Sequence, residues 1–442
     1  MKLNNKLLLF LVAVAIVSRF VGLDFAPPHL SNDEIGAAYD AYSISRTLKD
    51  EHNQFLPTTF QSHGIYRSAL AVYLTLPGVV IFGNTDFGAR VPSAVMGSLT
   101  ILLVGLLVWE LSQNYQLALL SSLMLAFSPW HFSASRSAME SNYALFFVTL
   151  GVYLFFYGLL RKNNLVTLLS FIALAASLYG YYTEWGLTPL VILGLLVSYR
   201  RVIIKEKIYL VGLGLFLILL TPLALDFIDK LGSSRASTEL FYNDLSTAPL
   251  LESDRFNTFQ KSQILMSAAL EKYSGYLSLN YLFFYGSTFL PKENPYQVGI
   301  FLSPFLLAFL VGLFKLREFF KQHATFLYIW LFISPAVPAL SRGETSSVRG
   351  LGIVVPLSII IAVGVLDIWE NLRKRLVLKV SGIGLLGLSF FYFLLIYIGH
   401  YPLQRAVDFQ YGYKQMALYI SKHYPKYEKI VIDPRFGNRE FY

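Results

Sequence analysis

Two adjacent carboxylates, Asp33 and Glu34, stand in the stretch LSNDEIGAAYD, just past the first hydrophobic run of a 442-residue chain. A carboxylate held near a membrane surface can take a proton from a hydroxyl nucleophile. The same residues can simply start a helix. Ser31 and Glu34 have the spacing of a capping box, and acids in a first turn suit the helix dipole. A second acid, Glu140, lies in SRSAMES, four residues after Arg136. That spacing fits a local ion pair at a helix end, or a second carboxylate facing the first. A third group, Arg342, Glu344 and Arg349, falls in SRGETSSVRG. Arginine forks match phosphate oxygens bidentately, and they also serve as interfacial anchors. Arg90 in GARVPSA is either an anchor or a partner for the carboxylates. Glu184 in YYTEWG and His63 in QSHGIYRS are further candidates for lining a site, although an aromatic-belt loop and a polar loop account for them as well. His131, after SPW, reads as structural.

The chain shows no P-loop, dinucleotide fingerprint, H-E-x-x-H or readable Ser-His-Asp grouping. Cysteine is absent, so no disulfide, thiolate metal site or cysteine nucleophile is possible. The chemistry on offer is therefore a base, a second acid and phosphate-binding cations.

These residues must be positioned by membrane helices. Hydrophobic residues make up 55% of the chain and charged ones 14%, well under the roughly one quarter of a soluble domain. An all-α polytopic fold follows. Spans of about 20 apolar residues are expected near 6–23, 88–110, 116–134, 143–160, 164–183, 186–199, 208–226, 297–314, 324–340, 350–369 and 377–398, about eleven in all. The first, preceded by Lys2 and Lys6, reads as a retained signal anchor with its N-terminus inside. With that parity the basic clusters at Arg161-Lys162, Arg200 to Lys207, Lys315 to Lys321 and Arg373 to Arg375 all fall inside, as the positive-inside rule requires. The net charge of +9 is thereby explained without nucleic acid. The apolar stretch 67–83, short and holding Pro77, would invert every later loop if it crossed, so it is expected to lie in the outer interface.

Asp33, Glu34, Glu140 and the 341–350 loop then share the outer face with a long loop near 227–296. Residues 1–398 are expected to form the membrane domain. Residues 399–442 are expected to form a short, very small or truncated outer segment, with a helix and then a strand, α/β-like in character.

Three stretches resemble the GT-C superfamily of integral-membrane glycosyltransferases, in particular the branch of protein O-mannosyltransferases and the lipid A aminoarabinose transferase. NDE after the first span is similar to that family's acidic pair. The segment YLTLPGVVIFGNTDFGARVPSAVMGSLTILLVGLLVWEL and the segment LALLSSLMLAFSPWHFSASRSAMESN are similar to two further family elements. The specific part is about 30–160. SSVRGLGIVVP again resembles an element before a late span.

The resemblance implies a sugar donor carried on a polyprenyl phosphate and used on the outer face of the cell membrane. It implies that Asp33 or Glu34 takes the proton of an acceptor hydroxyl, borne by a glycan, a lipid or a protein. It also implies that no metal is required, although the carboxylates could hold a divalent cation. An inverting outcome is expected if no covalent intermediate forms. Two features depart from the pattern: Glu140 stands where many relatives have Asp, and the C-terminal region is short. Membrane lipids surround the domain in either case. The competing class is a lipid or sugar transporter or flippase. Such proteins place ionisable residues near the midplane and show paired repeats, whereas here the charges sit at span ends on one face.

Overall fold

Helices account for nearly all regular structure in the computed structural model, which describes residues 5–62, 65–226, 228, 239–287, 298–372 and 375–432. The first ten helices are α1 (Asn5–Val17), α2 (Asn32–Thr47), α3 (Ala69–Phe82), α4 (Asp86–Ser112), α5 (Tyr115–Ala126), α6 (Pro129–Arg136), α7 (Glu140–Arg161), α8 (Asn164–Leu178), α9 (Glu184–Ile203) and α10 (Lys207–Asp226). Later helices include Thr258–Leu277, Leu306–Phe320, Ala324–Ile333, Val354–Asn371, Leu376–Leu395 and Tyr411–His423.

Among the described residues seven helices are long and apolar enough to cross a membrane, or eight if the bent pair α5–α6 counts as one span. This is fewer than the eleven expected. The main differences are short elements. α1, α3 and α8 are apolar but have only 13, 14 and 15 residues, too few for a full crossing at 1.5 Å per residue. The segment expected at 116–134 is broken at Ser128-Pro129 and bends by 65°. Ser128 caps α6 by accepting from the His131 amide, and its hydroxyl donates to the Ile300 carbonyl. The spans expected at 297–314 and 324–340 merge into one helical run, Ser303–Leu340. That run turns back on itself: the Tyr328 hydroxyl donates to the carbonyl of Leu313, fifteen residues earlier. In a straight helix those residues would lie about 22 Å apart.

The large core runs through α4, α5, α7, α8, α9 and Val354–Asn371. A second, smaller core belongs to the first loop: Leu30, Ala37, Ala41, Ile44, Phe60, Val72 and Ala89. Its lid is a hairpin the sequence pattern did not signal, β1 (Thr59–Ser62) and β2 (Ile65–Ser68), with Phe60 opposite Arg67. α3 folds back tightly on α4. A side chain at Gly78 would strike the Gly88 carbonyl at 2.1 Å, so glycine is needed there. At the C-terminal end the expected helix is present, Tyr411–His423, but the described residues after it, through 432, carry no strand.

The chain between α1 and α2 is irregular, and unsatisfied carbonyls near a membrane are costly. Two buried arginines satisfy them. Arg136 donates to five carbonyls, those of Ser18, Arg19, Val21, Gly22 and Ala26, at 2.7–3.2 Å. Arg90 donates to three more, those of Leu23, Pro27 and His29.

Candidate active site

The two adjacent acids have opposite surroundings. α2 begins with a capping box: the Ser31 hydroxyl accepts from the Glu34 amide, and the Glu34 carboxylate accepts from the Ser31 amide at 2.7 Å. This turns the Glu34 side chain inward, where it is 2% exposed. There Oε1 accepts from Arg90 Nε at 2.8 Å and from the Ala138 amide at 3.0 Å. Burial pushes the Glu34 carboxyl up. The Arg90 guanidinium and the amides of Ser31 and Ala138 outweigh it, and the carboxyl ends below its ordinary range. Asp33, one residue earlier, points out, with its side chain 70% exposed.

Asp33 has a cationic neighbour that sequence reasoning missed. Arg67 of β2 donates from Nη1 to the Asp33 backbone carbonyl at 2.7 Å, and its Nη2 lies 3.7 Å from Asp33 Oδ1. The available signal was an arginine directly before the apolar helix α3, at the end that an interfacial helix shares with the acidic pair.

Glu140 is the first residue of α7 and is half-buried. The Ala138–Glu34 hydrogen bond brings the start of α7 to the start of α2, so the two expected acids do belong to converging helix N-termini. Arg136 is a different case. It was expected to face a phosphate or to pair with Glu140, but its terminal nitrogens are directed at the carbonyls after α1, and it is 2% exposed.

Arg349 is 8% exposed in its side chain and held from three directions. Its Nε donates to the Tyr182 hydroxyl at 2.8 Å, Nη1 to the Arg342 carbonyl, and Nη2 to Glu239 Oε2 at 3.0 Å. Burial disfavours its charge. The Tyr182 and Tyr181 hydroxyls and Glu239 outweigh burial and raise its pKa above the usual arginine value. Arg342 itself is exposed, and its amide donates to the Glu239 carbonyl at 2.7 Å. Met139 and Val348, which flank Glu140 and Arg349 in sequence, line one small crevice with Trp130, Ser133, Ser347 and Leu351. The α6–α7 elbow and the 341–350 loop therefore face each other. Glu184 is buried in the first turn of α9 and accepts from Thr188 Oγ1 at 2.9 Å. His63 lies outside the described residues. Among the described residues no three His, Asp or Glu side chains gather as a metal cradle.

The sequence pattern of the dolichyl-phosphate-mannose-protein mannosyltransferase family matches residues 67–225. Among solved structures the chain resembles ArnT from Cupriavidus metallidurans bound to undecaprenyl phosphate, with 14% identity, a TM-score of 0.54, and 82% of this chain covering 60% of that one. It also resembles the Archaeoglobus fulgidus oligosaccharyltransferase tethered to an acceptor peptide, with 11% identity, a TM-score of 0.56, and 98% of this chain covering 60% of that one. The chain has the GT-C glycosyltransferase fold. A further structure of the archaeal enzyme, AglB in complex with an inhibitory peptide and a dolichol-phosphate, matches at 12% identity and a TM-score of 0.55. No curated protein matches by sequence.

The mannosyltransferase family pattern overlaps the specific part of the resemblance, 30–160, from Arg67 onward and continues to residue 225. The chain spans about three-fifths of the length of the solved GT-C proteins. Asp33 and Arg67 lie on the first loop, Glu140 at the α6–α7 elbow, and Arg342 and Arg349 on the 341–350 loop, with Glu239 against Arg349.

Proposed function

We propose that this chain transfers a sugar from a polyprenyl-phosphate-linked donor to an acceptor hydroxyl on the extracytoplasmic face of the cell membrane. The observation that carries the reading is the pairing of an exposed carboxylate, Asp33, with a cation, Arg67, on a helix start that Glu34 and Arg90 lock in place. Support comes from the GT-C fold and from the lipid phosphates named with two of the solved proteins.

In this reading Asp33 takes the proton of the acceptor hydroxyl as its oxygen attacks the sugar's anomeric carbon. The bond from that carbon to the phosphate oxygen breaks, and the polyprenyl phosphate leaves with the electron pair. A single displacement inverts the anomeric centre. Arg349, with Arg342 and Arg67, stabilises the phosphate as charge develops on it. Glu140, at the start of α7, is the second acid and orients the acceptor. Glu34 and Arg136 are supports for these groups.

Membranes containing the chain, given radiolabelled polyprenyl-phosphate hexoses and pentoses, should move label from the lipid to an acceptor. Retention of all label on the lipid would remove the transferase reading. Sidedness is tested in the same membranes. Cysteines introduced into this cysteine-free chain at Gln263 and Lys205, both exposed, should react with an impermeant thiol reagent from opposite sides. Reaction from one side alone would end the extracytoplasmic placement.

A further inference from the structure

The described residues hold one buried acid that the proposed reaction does not use and that nonetheless shares a neighbour with the base. Asp40 lies on α2 seven residues after Asp33, two turns and about 10 Å along the same face. Arg67 crosses that face between them. Its guanidinium lies over Gly36, where an added side chain would meet Nη1 at 2.9 Å. Toward one end Arg67 holds Asp33, as described. Toward the other its charge acts on Asp40.

Asp40 is fully buried. Its Oδ1 accepts from the Glu51 amide at 3.2 Å, and its Oδ2 has no hydrogen-bond partner. The loop that covers it brings a second buried acid, Asp50. Asp50 Oδ1 accepts from the amides of His52 and Gln54 at 2.9 and 2.7 Å, and its Oδ2 is likewise without a partner. The charged and titratable groups around Asp40 are therefore Asp50, Glu51 and His52 from the loop, Arg67 from β2, and Tyr73 from α3. The Tyr73 hydroxyl donates to the Pro57 carbonyl and feels Asp50. The His52 ring meets the Gln61 carbonyl at 3.2 Å and lies 3.6 Å from Glu51.

We infer that Asp40 is a positioning residue for Asp33, acting through Arg67. With Asp40 neutral, the guanidinium stays on Asp33; with Asp40 ionised, the guanidinium is drawn inward along α2 and releases it. A buried carboxylate facing two other acids holds its proton tightly. Burial, with the charges of Glu51 and Asp50, raises Asp40 to about 7 against the pull of the Glu51 amide and Arg67. The exchange therefore falls near neutral pH. The inference rests on the reading of Asp33 as the base only for its catalytic consequence; the movement of Arg67 is independent of it.

The test uses the full chain in lipid nanodiscs, labelled with 13C at aspartate side-chain carboxyl carbons. The Asp40 and Asp33 resonances are assigned by their loss in Asp40→Asn and Asp33→Asn. Asp40 should titrate near pH 7, and Asp33 should show an inflection at that same pH. Asp40→Asn should abolish the inflection at Asp33. Gly36→Ala, which crowds the guanidinium out of its place, should abolish it while Asp40 still titrates. In transfer assays the native rate should fall on the order of tenfold as Asp40 ionises, the scale of a lost charge-assisted contact, and the Asp40→Asn rate should not. The inference is overturned by an Asp40 that titrates in the ordinary carboxyl range, by an Asp33 resonance blind to Asp40, or by an Asp40→Asn pH–rate profile that keeps the native fall. If the resonances behave as expected but no donor is turned over, the transferase reading fails and the coupling of the two acids stands.

Discussion

The first loop and the region formed by 239–287 with 341–349 hold their charged residues in contrasting ways. The first loop has its own apolar core, and its central ion pair, Glu34 with Arg90, is 2% and 0% exposed. The region spanning 239–287 and 341–349 is joined by polar ties. Lys272 meets Asp244 at 2.7 Å, Asp244 Oδ1 accepts from the Gly343 amide at 2.7 Å, and Arg349 meets Glu239 at 3.0 Å. Glu239 is 37% exposed in its side chain. A buried pair cannot be opened without stranding a charge. A partly wet pair can be exchanged for another anion at small cost. The difference teaches where each task belongs in this molecule. In the proposed reaction the carboxylate to be aimed, Asp33, stands on the loop with the buried ion pair, and the arginine proposed for the phosphate, Arg349, stands against a partly exposed carboxylate, Glu239.

The contrast breaks most visibly at Arg90. Arg90→Met leaves Glu34 buried and three carbonyls unpaired, and should cost about 3–5 kcal/mol of stability, read as an early loss of monodisperse protein on heating in detergent. Adding Glu34→Leu should recover a good part, because an apolar pair does not strand a charge. A native-like melt for Arg90→Met alone would show that the first loop is not held by this pair.

Asp33→Asn comes next. Asp33 is exposed, so its replacement should leave the melt within about 0.5 kcal/mol of native while transfer falls on the order of 100-fold or more, the scale of a missing general base. Glu34→Gln should do the reverse and lower stability first, because Gln keeps the cap but not the charge that faces Arg90. Full activity of Asp33→Asn in a folded protein would move the base to Glu140.

Arg349→Ala should weaken donor use by about 1.5–3 kcal/mol, roughly ten- to a hundredfold, with Arg349→Lys recovering part, because a point charge keeps attraction but loses the fork. Equal donor use by all three proteins would pass the phosphate to Arg342. The smallest effect belongs to Lys272→Met. Its pair with Asp244 is partly exposed, so the loss should stay within about 1 kcal/mol and shrink further in salt. A loss as large as that of Arg90→Met would erase the distinction between the two regions.

Much of this protein was legible in its residues alone. Low charge and long apolar runs specify a helical membrane protein, because only helices satisfy a lone backbone in lipid. Ser31 and Glu34 announce the start of α2, because a capping box is a contact within one turn. The order of acids and arginines along the chain likewise brought Asp33, Glu140 and Arg349 into view. What the sequence could not decide is which way a charged side chain faces and what meets it there. Asp33 and Glu34 are chemically alike and adjacent, yet one is exposed and the other is locked to an arginine 56 residues away. Arg136 and Arg349 are the same residue type at similar span ends. One holds the carbonyls after α1, and the other meets Tyr182, 167 residues distant. Arg67 joined the site only when the β1–β2 hairpin carried it across Gly36. Local pattern determines helices because a helix bonds to itself. The roles of ionisable groups are set by burial and by partners far along the chain, and only the packed tertiary structure supplies those.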